Sequence, residues 1–248
     1  MQLLRISAVS YLNTIPFIYG MKHSGFLHQT LLSLDVPSAC ADKLIRGEAD
    51  AGLVPVAAIP LIQNARIISD FCIGADGAVQ TVLLVSRKPL AQIQNICLDL
   101  DSRTSVALAK VLAREYWHIR PEWHALSNDL ESESIEAAVI IGDKTFNLPE
   151  GYSYIYDLGA EWKAFTGLPF VFACWVVNRE ISSAQEKELN DAFTYGMEHK
   201  EQAIDEQTDL PVSKSRLLDY LNNSISFNLD AAKREALKLF LEKIKEID

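Results

Sequence analysis

The chain has 248 residues, 49% of them hydrophobic and 23% charged, with a formal net charge of −10. This is the composition of a globular protein with room for two modest domains, which excludes disordered and fibrous classes. The acidic balance, without a basic stripe interleaved with aromatics, argues against a nucleic-acid partner, and no stretch approaches the ~20 apolar residues of a membrane-spanning helix.

The first third alternates two kinds of segment. Residues 3–9 (LLRISAV) read as a strand, 14–25 as a helix closed by glycine, and 31–36 as a second strand. Residues 38–49 read as a helix with Ser38 as its N-cap, 50–56 as a third strand and 57–64 as a short helix. This βαβαβ rhythm predicts a parallel sheet. A β-rich stretch follows, ARIISDFCIG through AVQTVLLVSRKPL, and the βα pattern restarts at NICLDL. The clearest helix is DSRTSVALAKVLAREYW, whose apolar positions Val106, Leu108, Ala109, Val111, Leu112 and Tyr116 keep a helical period. PEWHAL and AAVIIGDKTF read as strands separated by an acidic helical piece, and residues 152–179 as a second β-rich stretch. The end is amphipathic and helical, in residues 183–204 and 230–247. Two β-rich crossings around one compact βα block predict an α/β fold of two lobes. The second lobe (residues 87–174) is inserted into the first (residues 1–86 and 175–248), with a ligand cleft between them.

Five stretches could carry chemistry. In AVSYLNTIPF a buried strand ends on Ser10, Tyr11 and Asn13, which suits either a capped turn or a binding site at a strand's carboxyl end. In LDLDSRTSVALA a strand runs into Ser102, Arg103, Thr104 and Ser105 where a helix begins. The unpaired N–H groups and dipole there can hold a carboxylate or phosphate, while plain capping explains the same residues. Gly142 and Asp143 follow an apolar strand, as a cleft residue pair or as an ordinary turn. GADGAVQT, with Gln80 and Thr81, and TGLPF sit near the two crossings.

The absences narrow the chemistry. There is no GxSxG elbow, HExxH, Walker loop or GxGxxG, and the five histidines are scattered. The four cysteines (Cys40, Cys72, Cys97, Cys174) form neither a CxxC pair nor a Cys/His cluster, so no zinc site and no disulfide framework is expected. Hydroxyls, amides, an arginine and one carboxylate suit binding of an anionic organic molecule better than hydrolysis. No metal and no nucleotide cofactor is implied. The opening residues lack a basic region, a long apolar core and a cleavage site, so a soluble, cytoplasmic protein is expected.

Taken in order, SYLNTIPF, DKLIRGEADAGLVPVA, DLDSRTSVALAKVLA, IGDKTF and DLGAEWKAFTGLPFVFACW resemble the menaquinone-biosynthesis family that shares the periplasmic-binding-protein type II fold. Within that family the resemblance is to the chorismate dehydratases of the futalosine pathway. It covers residues 6–177 and implies a lyase that removes water from chorismate, a small dianion, to give 3-[(1-carboxyvinyl)oxy]benzoate without a cofactor. It also implies Asn13 as the residue touching substrate, with Ser10 and Tyr11 beside it. Ser102, Arg103, Thr104 and Ser105 would then be the anion seat, with Gly142 close by. For the base two candidates stand, Asp143 and a carboxylate of the substrate. The rival readings are the 1,4-dihydroxy-6-naphthoate synthase of the same pathway, and a solute-binding protein for a small organic anion.

Overall fold

The computed structural model describes residues 3–126 and 134–247. Strand β1 (Leu4–Val9) leads through a 3₁₀ turn (Leu12–Thr14) into α1 (Ile15–His23), where Pro16 sits in the first turn and needs no N–H partner. Then β2 (Thr30–Asp35), α2 (Pro37–Ile45) and β3 (Ala51–Pro55) complete the βαβαβ unit, with β1 parallel to both neighbours. Ser38 does not cap α2. Pro37 takes the first helical position and Val36 flanks it, so the Ser38 N–H donates to the Asp101 carbonyl at 2.8 Å. Residues 57–64, expected as a short helix, form a 3₁₀ turn (Val56–Leu61), because Pro60 has no N–H for an α-helical bond.

After β4 (Arg66–Ala75) the chain crosses to β5 (Val82–Ser86), β6 (Asn95–Leu98), α3 (Arg103–Glu115) and β7 (Glu122–Ala125). Next come β8 (Ala137–Ile141), a 3₁₀ turn (Gly142–Asn147), β9 (Tyr154–Asp157) and α4 (Leu158–Thr166). It returns along β10 (Phe170–Val177) and ends with α5 (Ser183–Glu198), α6 (Lys200–Asp205), α7 (Lys214–Asn223), β11 (Ser226–Asn228) and α8 (Ala231–Lys243). The strands form a six-stranded sheet, β11-β4-β10-β3-β1-β2, and a five-stranded sheet, β7-β6-β8-β5-β9. A second lobe is thus inserted into the first, as the two β-rich crossings around one βα block predict.

Sheet membership places the crossings differently from the sequence. The expected boundary at residue 86 leaves β5 in the first lobe, yet β5 pairs with β8 and β9. The expected boundary at residue 174 cuts β10, which pairs with β3 and β4. Both strands are buried along their whole length, and a run apolar on both faces does not tell which sheet it joins. We place the crossings at residues 76–81 and 167–169. The stretch read as β-rich between 152 and 179 contains α4, which Asp157 caps by accepting the Gly159 and Ala160 N–H groups at 2.9 and 3.1 Å. Helix α7 and strand β11 carried no expectation. The acidic helical piece falls largely at residues 127–133, outside the described residues.

One apolar core joins the lobes, from Phe17, Trp175 and Phe193 in the first to Leu108, Ile141 and Trp162 in the second. Phe17 packs edge-on against Trp175, with centroids 5.5 Å apart at 88°. Helices α1 and α5 cross backbone to backbone, since a Cβ on Gly20 would overlap the Ala192 carbonyl and one on Gly196 the Pro16 carbonyl. This close crossing anchors α1, and through it the turn Leu12–Thr14. Among the described residues no helix is long and apolar enough to cross a membrane.

Candidate functional site

A cleft opens between the lobes, where β1 and β3 of one sheet face β8 and the start of α3 from the other. Its walls are apolar, from Leu53, Ile73, Val82 and Phe172 with Pro37 and Pro55. Among the described residues its polar groups are Tyr11, Asn13, Thr81, Ser102 and Ser105, and no lining side chain is charged.

Each polar group is placed by a local device. The 3₁₀ turn after β1 turns Asn13 into the cleft, and Thr14 ties that turn down by donating to the Val9 carbonyl at 2.6 Å. The Asn13 Oδ1 and the Tyr11 hydroxyl are both buried without a hydrogen-bond partner. Burial among acidic neighbours, Asp101, Asp99 and Asp143, pushes the Tyr11 phenol far up, so it is a neutral donor. The Tyr11 ring lies flat on Gly142, whose φ of 65° and missing side chain make room; a Cβ there would come within 2.7 Å of the ring. On the facing lobe, Ser102 caps α3 by accepting the Ser105 N–H at 3.3 Å, and the Ser105 hydroxyl donates to Ser102 Oγ at 3.1 Å. Ser102 therefore both caps and lines the cleft. The first N–H groups of α3 lack helical partners and bring the positive end of the dipole to this wall.

Of the residues singled out in the sequence, Tyr11, Asn13, Ser102, Ser105 and Gly142 meet in the cleft. Four others do not line it. Ser10 is exposed on the outer side of the turn. Arg103 spans the lobes to Asp42, with Nη2 at 2.7 Å from the carboxylate. Thr104 is fully buried and its hydroxyl accepts the Ala57 N–H across the lobes at 3.2 Å. Asp143 is turned back to accept the Leu12 N–H at 3.2 and 3.3 Å. Burial raises its carboxyl to about 6, with that N–H pulling the other way. The last three contacts cross between the lobes and hold them together.

Two groups were not identified as site residues from sequence. Thr81 lines the cleft, and its hydroxyl lies 2.8 Å from the Tyr220 phenol on α7. The crossing loop before it is held by Asp157, which accepts the Val79 and Gln80 N–H groups at 3.0 and 2.6 Å besides capping α4. Thr81 stood in the GADGAVQT stretch; nothing local to α7 points to Tyr220. Among the described residues no three His, Cys, Asp or Glu side chains gather as metal ligands.

The architecture recurs in solved structures. A protein from Archaeoglobus fulgidus superposes with a TM-score of 0.77 at 14% identity, over 98% of this chain and 97% of that one. The periplasmic aliphatic sulphonate binding protein SsuA of Escherichia coli superposes at 0.62 and 15% identity, over 99% and 86%. The fold is thus that of periplasmic binding proteins, with an inserted lobe and the cleft between. In sequence, the chain is 29% identical to a chorismate dehydratase of Thermus thermophilus, over 94% of this chain and 92% of that protein. It is 27% identical to a chorismate dehydratase of Campylobacter jejuni, over 97% of each. A 1,4-dihydroxy-6-naphtoate synthase of Thermus thermophilus matches at 26% over 53% of this chain and 51% of that protein. The model of one family, described as menaquinone biosynthesis, matches residues 4–246 and so takes in every element that lines the cleft. The chain belongs to the menaquinone biosynthesis family.

Proposed function

We propose that the chain is a chorismate dehydratase of menaquinone biosynthesis by the futalosine pathway, working in the cytoplasm. The observation that carries this reading is near full-length similarity to two chorismate dehydratases, over 94% and 97% of the chain. The synthase of the same pathway matches along only 53%. Cysteines that are all free fit a reducing compartment.

The reaction removes the ring C3 hydrogen as a proton and the C4 hydroxyl as water. The C3–H electrons become the third ring double bond as the C4–O bond breaks, and the product ring is aromatic. Aromaticity supplies the driving force, so the protein has three tasks: to hold the conformer fit for elimination, to admit a base to C3, and to assist the leaving hydroxyl. Positioning alone can supply several kcal/mol of a barrier, and a placed acid or base about 10²–10⁴-fold.

In this reading the start of α3, with the Ser102 and Ser105 hydroxyls, seats one substrate carboxylate. The unpaired Asn13 Oδ1 accepts a hydrogen bond from the C4 hydroxyl and fixes its orientation. The neutral Tyr11 phenol, aimed by Gly142, donates to the departing oxygen. For the proton at C3 the geometry favours a carboxylate of the substrate. Among the described residues no carboxylate lines the cleft, and Asp143 is engaged by the Leu12 N–H. Asp143 then anchors the turn that carries Asn13. Ser10, Arg103 and Thr104 act outside the cleft, the last two by holding the lobes closed.

The test is incubation of the purified protein with chorismate alone, followed by liquid chromatography and mass spectrometry. An aromatic product lighter by one water is expected. Chorismate recovered intact at high enzyme concentration would overturn the reading and favour the sister synthase or a binding role.

A further inference from the structure

We propose that Lys144 acts on the cleft from outside it, as a positioning residue: by cancelling the carboxylates of Asp99 and Asp101 it makes the start of α3 receptive to a small dicarboxylate. The inference rests on the dehydratase reading for its kinetic part only.

The charges beside the cleft are poorly matched to an anion. Ser102 and Ser105 line it, and Asp101 immediately precedes them. Asp99, just past β6, is 5% exposed. Its Oδ1 accepts the Asp101 N–H at 3.1 Å, which folds the turn that delivers the chain to the Ser102 cap. The Asp101 carbonyl in the same turn accepts the Ser38 N–H of the other lobe at 2.8 Å. The acids are thus built into the backbone that presents the helix start, and they offset the positive potential which that start would offer a ligand. Asp143 adds a third carboxylate one residue past Gly142. Arg103 is no counterweight, because Asp42 holds it.

Lys144 supplies the missing charge. It stands on the 3₁₀ turn after β8, and its Nζ lies 2.9 Å from Asp99 Oδ2 and 3.3 Å from Asp101 Oδ2. Burial works against the ammonium, but the two carboxylates outweigh it and raise it above its ordinary value, so Lys144 is a cation at neutral pH. The side chain is half exposed, and ion pairs so exposed add little to stability. The larger consequence is local. Two carboxylates against one ammonium leave the turn a single negative charge, and loss of the lysine would leave two. That field reaches the cleft, where burial pushes the Tyr11 phenol up and Asp101, Asp99 and Asp143 push it further. A clamp and a shield predict opposite results at Asp101. If Lys144 were a clamp, removing the Asp101 charge would weaken it and loosen the site; if it is a shield, the same change helps an anion to bind.

The test compares Asp101→Asn, the parent protein, Lys144→Gln and the double variant in the chorismate assay at ~0.01 M salt, where charges act over ~30 Å. KM should fall about three-fold in Asp101→Asn, rise about ten-fold in Lys144→Gln and return to within about two-fold of the parent in the double variant. Throughout, kcat should stay within about two-fold, the pattern of uniform binding. Lys144→Arg should keep the parent's KM, and ~1 M salt should compress the series. A KM that rises in Asp101→Asn, or a loss confined to kcat in Lys144→Gln, would overturn the proposal. A second readout needs no turnover. Asn13→Cys places a thiol in the cleft, and its rates with an anionic and a cationic methanethiosulfonate reagent read the local potential, with the parent's own cysteines as the blank. Adding Lys144→Gln should shift the ratio of the two rates at least about five-fold toward the cationic reagent, and adding Asp101→Asn should shift it the other way. An unmoved ratio overturns the proposal whatever the activity. A ratio that moves as expected in a protein that leaves chorismate intact overturns only the dehydratase reading.

Discussion

Replacing Asp143 by asparagine separates two roles that a carboxylate beside a cleft can play. Burial raises this carboxyl to about 6 from an ordinary 3.8. A rise of that size corresponds to about 3 kcal/mol of disfavour for the ionised form in the folded state. The sign follows from which state loses its proton first. The unfolded chain ionises near pH 4 and the folded protein only near pH 6, so stability falls between these values as pH rises and then levels off. The amide that replaces the carboxylate carries no charge and is spared that loss. It still offers an oxygen to the Leu12 N–H, the bond whose pull on the carboxylate the raised value already includes. Asp143→Asn should therefore be more stable by about 3 kcal/mol at pH 7.5, and the gap should narrow by about 1.5 kcal/mol at pH 5. Urea unfolding at both pH values, followed by tryptophan fluorescence, measures it. A gap of the same size at both would refute the buried-charge argument. Turnover read on the same protein bears on the base. Activity within about ten-fold of the parent is expected if a substrate carboxylate takes the proton, and a loss of about 10²–10⁴-fold, the scale of a general base, would assign that role to Asp143.

Asn13→Ala removes the unpaired acceptor and should lower kcat/KM by about 10²–10³-fold, the usual scale for one preorganised polar contact to reacting atoms; an unchanged value would take Asn13 out of the site. Gly142→Ala places a Cβ within 2.7–2.9 Å of the Tyr11 ring at φ of 65°. It should cost about 1–2 kcal/mol from the left-handed backbone alone and displace Tyr11, so a variant with the parent's melting temperature and turnover would refute the account of that pair. Asp42→Ala frees Arg103, and because both partners are about one-third exposed the stability loss should stay below about 1 kcal/mol. Its effect should fall on KM, through weaker closure, and a ten-fold drop in kcat would contradict that.

The sequence was most legible where a local rule and the tertiary answer coincide. Alternating strand and helix patterns in residues 3–64 implied parallel pairing, and β1, β2 and β3 pair so. The polar run after β1 suits a capped turn or a binding site, and the 3₁₀ turn Leu12–Thr14 sets Tyr11 and Asn13 along the cleft. The start of α3 posed capping against ligand binding as alternatives, and Ser102 shows that one hydroxyl can serve both geometries. Local pattern failed where the deciding partner is distant. Arg103 and Thr104 look like an anion seat from their neighbours, yet Asp42 and the Ala57 N–H, some fifty residues away, engage them. Helix α4 depends on Asp157, whose four N–H partners come from both sides of the inserted lobe. Tyr220 is an ordinary buried aromatic on its own helix and acquires its meaning only at Thr81.

A cleft with no charged side chain among its described lining residues is an unexpected host for a dianion, in a protein whose own charge is −10. On the proposed reading the absence has a kinetic logic. Chorismate and the aromatic product carry the same two carboxylates, so a lysine or arginine seated on them would stabilise substrate, transition state and product alike. Such uniform binding lowers KM without raising kcat and slows product departure. Hydroxyls and helix N–H groups can orient the carboxylates at a smaller cost to release. The groups that discriminate must then sit where the reaction changes the molecule, at the C4 hydroxyl, and Asn13 and Tyr11 are the side chains of the cleft with polar atoms left unpaired. The cations stand outside it. Arg103 pairs with Asp42 across the lobes, and Lys144 pairs with Asp99 and Asp101 within the second lobe.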